Sequence, residues 1–176
     1  MTKSNAYVFT GGPGAGKTTV IKTLEQMGYA TVEESGRQII QEQVRTGGNA
    51  LPWGDTAQYR DKMFRTAMDD FHALQEEQVF LDRGLPDVIG YTQLIQLPVD
   101  PSLQELCMQY RYNTRVFIFP PWEAIFCEDE ERKQTFATAV HTFEVMQAVY
   151  NACDYELITV PMIPAAERAA FIISRL

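Results

Sequence analysis

Apolar positions alternate between two spacings along this chain. Short runs with strand composition stand at 7–10 (YVFT), 30–33 (ATVE), 79–82 (VFLD), 115–119 (RVFIF) and 156–160 (ELITV). Between them, apolar residues recur every three or four positions, the helical period. Val20, Ile21, Leu24 and Met27 form one such stripe, which Gly28 can end in a left-handed conformation. Residues 36–45 form a second, with Ile39, Ile40 and Val44 expected to face inward. After a loop at 46–54, Asp55 and Gln58 have capping-box spacing and open a helix carrying Tyr59, Met63, Phe64, Ala67, Met68, Phe71 and Leu74. Helices are also expected at 87–95, from Asp100-Pro101, and at 165–175. A further helix presents Phe136, Val140, Phe143, Met146 or Gln147, and Tyr150 on one face. Five strands alternating with helices predict an α/β fold of three layers, a parallel sheet wrapped on both sides. No repeat, low-complexity tract or linker divides the 176 residues, so one domain is expected.

The first strand runs into Gly11-Gly12-Pro13-Gly14-Ala15-Gly16-Lys17-Thr18, a full match to G-x-x-x-x-G-K-[ST] between a strand and an amphipathic helix. In such a P-loop the glycines let backbone amides approach phosphate oxygens, and the following helix aims its positive end at them. Lys17 is expected to reach the β- and γ-phosphates and Thr18 to ligate Mg²⁺, with Thr19 continuing the cradle as a helix residue. The nucleotide is expected to be ATP, acting as phosphoryl donor.

Further charged residues fall at strand ends, the edge where parallel sheets bind ligands. Asp82 ends the third strand and could hold the metal's hydration shell or accept the proton of an attacking hydroxyl. Arg83 could clamp a phosphate or an acidic substrate group. At the end of the second strand Glu34 is a candidate base or substrate-binding acid, while Glu33 reads as solvated. Arg37 lies in the first turn of the next helix, placed to meet substrate or to form a structural ion pair. The stretch 128–133 (EDEERK) suits an arginine-bearing lid over about 122–134, with Arg132 rather than Lys133 as the residue that neutralises charge during transfer. Trp53 could stack on a ring or pack on its own domain, and neither His72 nor His141 is given a role.

The net charge of −8 disfavours a long nucleic-acid partner but leaves room for a local polyphosphate pocket. Cys107, Cys127 and Cys153 lack metal-ligand spacing and read as reduced packing residues. No segment approaches ~18 uninterrupted apolar residues, and the N-terminus lacks the apolar stretch of a signal peptide, so a cytoplasmic protein without a membrane span is expected.

The segments GGPGAGKTT, EESGRQII, LPWGD, FLDRGLPDVIGY, RYNTRVFIFPPWE, DEER and YELITVP…ERAAFI follow one another in an order that resembles one P-loop family over nearly the whole chain. That family comprises predicted ATPases or kinases labelled as an AAA domain and related to the ribosylnicotinamide kinase domain of bacterial NAD regulators. The resemblance implies a nucleoside/nucleotide-kinase-like fold with strand order 2-3-1-4-5. It supports Gly11, Gly16, Lys17 and Thr18 for nucleotide, Glu34, Arg37, Asp82 and Arg83 for substrate or metal, and Arg132 for the lid.

A small-molecule kinase, an AAA motor and a nucleotide-dependent regulatory module with little turnover compete as functions. A motor's Walker B strand normally ends in Asp-Glu, whereas here Asp82 is followed by Arg83-Gly84. The short stretch after the fifth strand is also expected to leave no room for a helical lid domain. No N-K-x-D motif is present to read guanine. The expectation is therefore a kinase transferring the ATP γ-phosphate to a hydroxyl or phosphate of a small metabolite, with nucleosides and nucleotides among the acceptors. A regulatory module or slow ATPase is the alternative.

Overall fold

Strand β1 (Ala6–Gly11) is buried at every residue and sits at the centre of the sheet. In the computed structural model, which describes residues 1–126 and 135–176, it pairs in parallel with β3 (Val79–Asp82) on one side and β4 (Arg115–Phe119) on the other. The edge strands are β2 (Ala30–Val32) and β5 (Glu156–Thr159), giving the order β2-β3-β1-β4-β5. This is the expected three-layer arrangement. Parallel strands need crossovers, and the helices that supply them cover both faces.

The strand period of two divides the core. Ala6 and Val8 of β1, with Val79, Leu81 and Val116, face α3 (Thr56–Ala73), α4 (Leu85–Leu94), α5 (Pro101–Gln109) and α6 (Phe136–Ala152). Tyr7 and Phe9, with Phe80, Phe117 and Phe119, face α1 (Lys17–Gln26) and α7 (Ala165–Ile173). Phe9 lies at the centre of an aromatic group, 5.1 Å from Phe119 and 5.6 Å from Phe80 between ring centroids. Helix α2 (Ser35–Thr46) adds Ile39 and Ile40 to the first core. Cys107 and Cys153 are buried free thiols, and burial pushes Cys107 up to about 12.

Three helix faces differ from their expected orientation. Val44 is 65% exposed, and Gln43 turns inward in its place. The Gln43 Oε1 accepts from the Ala50 amide at 3.1 Å, so a polar residue closes the following loop where hydrophobicity pointed to valine. Met27, the C-cap of α1, is 54% exposed. In α6 Met146 and Tyr150 are buried as expected, but Ala139, Thr142 and Val149 complete the stripe in place of Phe136, Val140 and Phe143. Gly90 of α4 allows this close approach, since a Cβ there would lie 2.5 Å from the Met146 sulfur. Helix α4 also begins two residues early, because Pro86 suits the first turn and Asp87 Oδ2 accepts from the Gly84 amide at 2.9 Å.

The rotation of α2 predicts unequal stability effects. Urea denaturation of Ile40→Ala should show a loss of about 2–5 kcal/mol. Val44→Ala should stay within about 0.5 kcal/mol of the parent.

Candidate active site

The P-loop forms where β1 ends against α6. A Cβ on Gly12 would lie 2.2 Å from the Ala139 carbonyl oxygen, so the backbone passes where no side chain fits. Gly16, at φ 81°, takes the left-handed turn that starts α1. Lys17 is buried, and its Nζ donates to the Gly12 carbonyl at 2.7 Å and the Gly11 carbonyl at 3.4 Å. Burial, followed by the nearby Arg83 charge, lowers its pKa to about 8.

Thr18 Oγ1 donates to Asp82 Oδ2 at 2.9 Å. The register opposite Phe9 fixes Asp82 at the end of β3, where it is 4% exposed. Its Oδ1 is buried without a hydrogen-bond partner. Burial raises the Asp82 pKa, against the charges of Lys17 and Arg83 and the Thr18 hydrogen bond. An acceptor oxygen with no donor, beside a threonine hydroxyl, fits Mg²⁺, which takes one or two protein oxygens and completes its shell with water and phosphate. Among the described residues no group of three or more His, Cys, Asp or Glu side chains could hold a metal.

Arg83 leaves β3 with φ 85°, a left-handed conformation that costs a non-glycine residue about 1–3 kcal/mol. Two carboxylates hold the guanidinium: Nε donates to Glu34 Oε1 at 3.1 Å and Nη1 to Asp87 Oδ1 at 3.1 Å. The same Nη1 lies 3.3 Å from the Gly11 carbonyl. Burial opposes the charge, but Glu34, Asp87 and Asp82 together raise the Arg83 pKa.

Asp87 was expected only to open a helix, yet it is 1% exposed and serves as a hub. Thr10 Oγ1 donates to its Oδ1 at 2.7 Å, and the Tyr150 hydroxyl to its Oδ2 at 2.6 Å. Its only signal in the sequence was an acid set among apolar residues in LPDVIG.

Two cavities meet at this network. The larger, about 600 Å³, runs along Pro13–Thr19 of the P-loop and is walled by Glu34, Arg37, Arg83, Trp122 and Arg168. Arg168 is a second residue that sequence reasoning missed. Nη1 donates to the Ala15 carbonyl at 2.9 Å, Nε to the Ile163 carbonyl at 2.6 Å, and the guanidinium lies 4.7 Å from the Trp122 ring centroid. A lone arginine in the apolar run of α7 was the available clue. The second cavity, about 320 Å³, shares Pro13, Glu34 and Arg83 with the first and extends between α3, α4 and α6.

The structure therefore gathers Gly11 through Thr19, Glu34, Arg83 and Asp82 around one crevice, with Arg37 on its wall. Glu33 is exposed, as expected, and so is Trp53. His72 packs edge-on against Phe71 and Tyr110, whereas His141 lines the second cavity. Arg132, Lys133 and Cys127 lie outside the described residues.

A parallel sheet of this order, with a P-loop between β1 and α1, defines a P-loop NTPase of the kinase fold. A family model described as an AAA domain matches residues 6–168, and the chain belongs to that family. No curated protein matches the chain by sequence. Similar solved structures include a shikimate kinase from Acinetobacter baumannii in complex with shikimate. It has 17% identity and a TM-score of 0.61, with 97% of this chain and 90% of that one covered. A thymidylate kinase from Ehrlichia chaffeensis has 21% identity and a TM-score of 0.61, covering 98% and 97%. A deoxyadenosine kinase from M. mycoides with bound dATP has 13% identity and a TM-score of 0.55, with 97% of each chain covered. At these identities the likeness establishes the fold. No helix among the described residues is long and apolar enough to cross a membrane.

The lowered pKa of Lys17 predicts proton-linked nucleotide binding. Phosphates beside Nζ favour its charged form, so the bound pKa lies above the free value of about 8. Above that pH, binding takes up a proton and affinity falls as pH rises. Calorimetry with ATP at roughly pH 8.5, in two buffers of different ionisation enthalpy, should show this uptake. Lys17→Met should abolish it.

Proposed function

We propose that residues 1–176 form one phosphotransferase domain that moves the γ-phosphate of ATP to a hydroxyl or phosphate oxygen of a small-molecule acceptor. The observation that carries this reading is the junction of two cavities at Glu34 and Arg83, with the P-loop lining one of them. A motor needs a nucleotide site and a water. A second chamber beside the P-loop cavity suits a second substrate.

In this reading Gly11, Gly12, Pro13, Gly14, Ala15 and Gly16 wrap the phosphates with their backbone, joined by Thr18 and Thr19 at the start of α1. Lys17 leaves the Gly12 and Gly11 carbonyls to reach the β- and γ-phosphate oxygens. Thr18 and Asp82 hold Mg²⁺, directly or through its water shell. When bound, this ion neutralises phosphate charge and orients the triphosphate. Arg83, at the junction of the two cavities, and Arg37, on the donor cavity's wall, meet phosphate or acceptor oxygens.

Glu34 stands at the boundary between the chambers, whereas Asp82 lies behind Thr18. Glu34 is thus the better placed group to orient an acceptor hydroxyl and take its proton. The Trp122–Arg168 pair lies at the donor cavity's far wall, where a nucleotide base can stack. The stretch 122–134 serves as the lid, with Arg132 closing on the γ-phosphate.

The experiment is incubation with Mg·ATP and a panel of nucleosides, nucleotides and vitamins, reading transfer of the γ-phosphate. Acceptor-independent hydrolysis that requires assembly into rings would overturn the proposal. Asp82→Asn and Glu34→Gln should each lower kcat by about 10²–10⁴-fold. Near-normal transfer by either variant removes that residue from the mechanism. Arg132→Ala should lower kcat more than nucleotide affinity, as expected for a group acting in the transition state.

A further inference from the structure

The second cavity's lining indicates which acceptor it takes. Tyr59, Met63, Tyr91 and Met146 form its body, and the two tyrosine rings meet edge to face with centroids 5.3 Å apart. Leu94, Ile95 and Pro52 extend the same apolar wall. Two thioethers and two phenol rings around about 320 Å³ suit a flat ring, which soft sulfur and aromatic edges contact well.

The charges around the cavity are unbalanced towards the negative. Among the described residues its lining carboxylates are Glu34 and Asp87 and its lining guanidinium is Arg83. Among the described residues, Arg83 supplies the fixed positive charge on the acceptor wall, and both Glu34 and Asp87 already engage it at 3.1 Å. Lys17 and Arg37 line the donor cavity. The remaining polar lining comes from α6: Thr138, His141 and Thr142. An acceptor bearing its own phosphate or carboxylate would bring a second anion into this cavity beside the triphosphate. Among the described residues the guanidinium on that wall is Arg83, which two carboxylates already engage, an arrangement that penalises a second anion strongly.

We infer that the acceptor is an uncharged, ring-bearing alcohol of nucleoside size, and not a phosphomonoester or a carboxylic acid. This inference rests on the phosphotransferase reading above. The ring occupies the Tyr59–Tyr91–Met146 chamber, and the hydroxyl points past Glu34 towards the P-loop. In transfer, the hydroxyl oxygen forms the bond to the γ-phosphorus and its proton passes to the Glu34 carboxylate. The bond from that phosphorus to the β–γ bridging oxygen breaks, and its electron pair leaves with ADP. Thr138, His141 and Thr142 distinguish one ring from another by hydrogen bonding.

The test is calorimetric titration of the full chain, with Mg²⁺ and a non-hydrolysable ATP analogue present. The probes are matched pairs: adenosine, guanosine, cytidine, uridine and thymidine, each against its own 5′-monophosphate, and methyl shikimate against shikimate. At least one neutral member should bind, and at least about tenfold more tightly than its anionic partner. Thr138→Lys, on the exposed start of α6, should narrow or reverse that preference by adding a cation at the cavity. Tighter binding of the monophosphates or of shikimate overturns the inference, as does binding by none of the neutral members. Transfer of the γ-phosphate is read separately. A neutral ligand that binds but is not phosphorylated leaves the acceptor class standing and removes the kinase reading.

Discussion

A guanidinium clamped between two carboxylates organises this molecule. Arg83 emerges from β3 in a left-handed conformation and donates to Glu34 on one side and Asp87 on the other. Three parts of the chain thereby meet: the end of β2, the end of β3 and the first turn of α4. Asp87 carries the connection inward, accepting from Thr10 of β1 and Tyr150 of α6. The backbone strain at position 83 persists because the ion pairs on both sides over-determine it. Removing Arg83 would leave Asp87 buried without its cation, a situation that costs about 3–5 kcal/mol.

The network also explains why the crevice has two chambers. Arg83 and Glu34 bridge the sheet edge where the P-loop turns, and they separate the space over the phosphates from the space beneath α3 and α6. Arg168 performs a comparable task at the other end. It ties the loop after β5 to the P-loop through the Ile163 and Ala15 carbonyls, so the far wall of the donor cavity and the phosphate cradle are set together. Both arginines act mainly through backbone and carboxylate acceptors from distant segments. Each is a joint between elements that the sheet alone does not connect.

Membership of an AAA-domain family and a kinase-like fold are compatible, because both are arrangements of one P-loop core. The residue after Asp82 is informative here. Where a motor's strand normally carries a glutamate after the aspartate, this chain carries an arginine engaged by two carboxylates. The polar atoms left around Asp82 and Thr18 are those a phosphate-bound cation would complete.

The strands, the P-loop and the strand-end acids could be read from local patterns, since each depends on neighbouring residues: short apolar runs, glycines before a lysine, an acid closing an apolar run. The strand order came only from the family resemblance. Glu34 and Glu33 were separated correctly by the same logic, one at the crevice and one in water. Helix faces were read less well. Val44 and the α6 stripe were assigned by hydrophobicity, but Gln43 faces inward because a backbone amide 7 residues later needs its oxygen, and α6 turns to meet Gly90. The roles of Asp87, Tyr150 and Arg168 were hidden for a related reason. Tyr150 reaches Asp87 across 63 residues and Arg168 reaches Ala15 across 153, in contacts that form only once the sheet has brought those segments together. The local sequence thus specified that phosphate would be held and at which edge. The long-range hydrogen bonds of the folded chain decided the shape and charge of the chamber beside it.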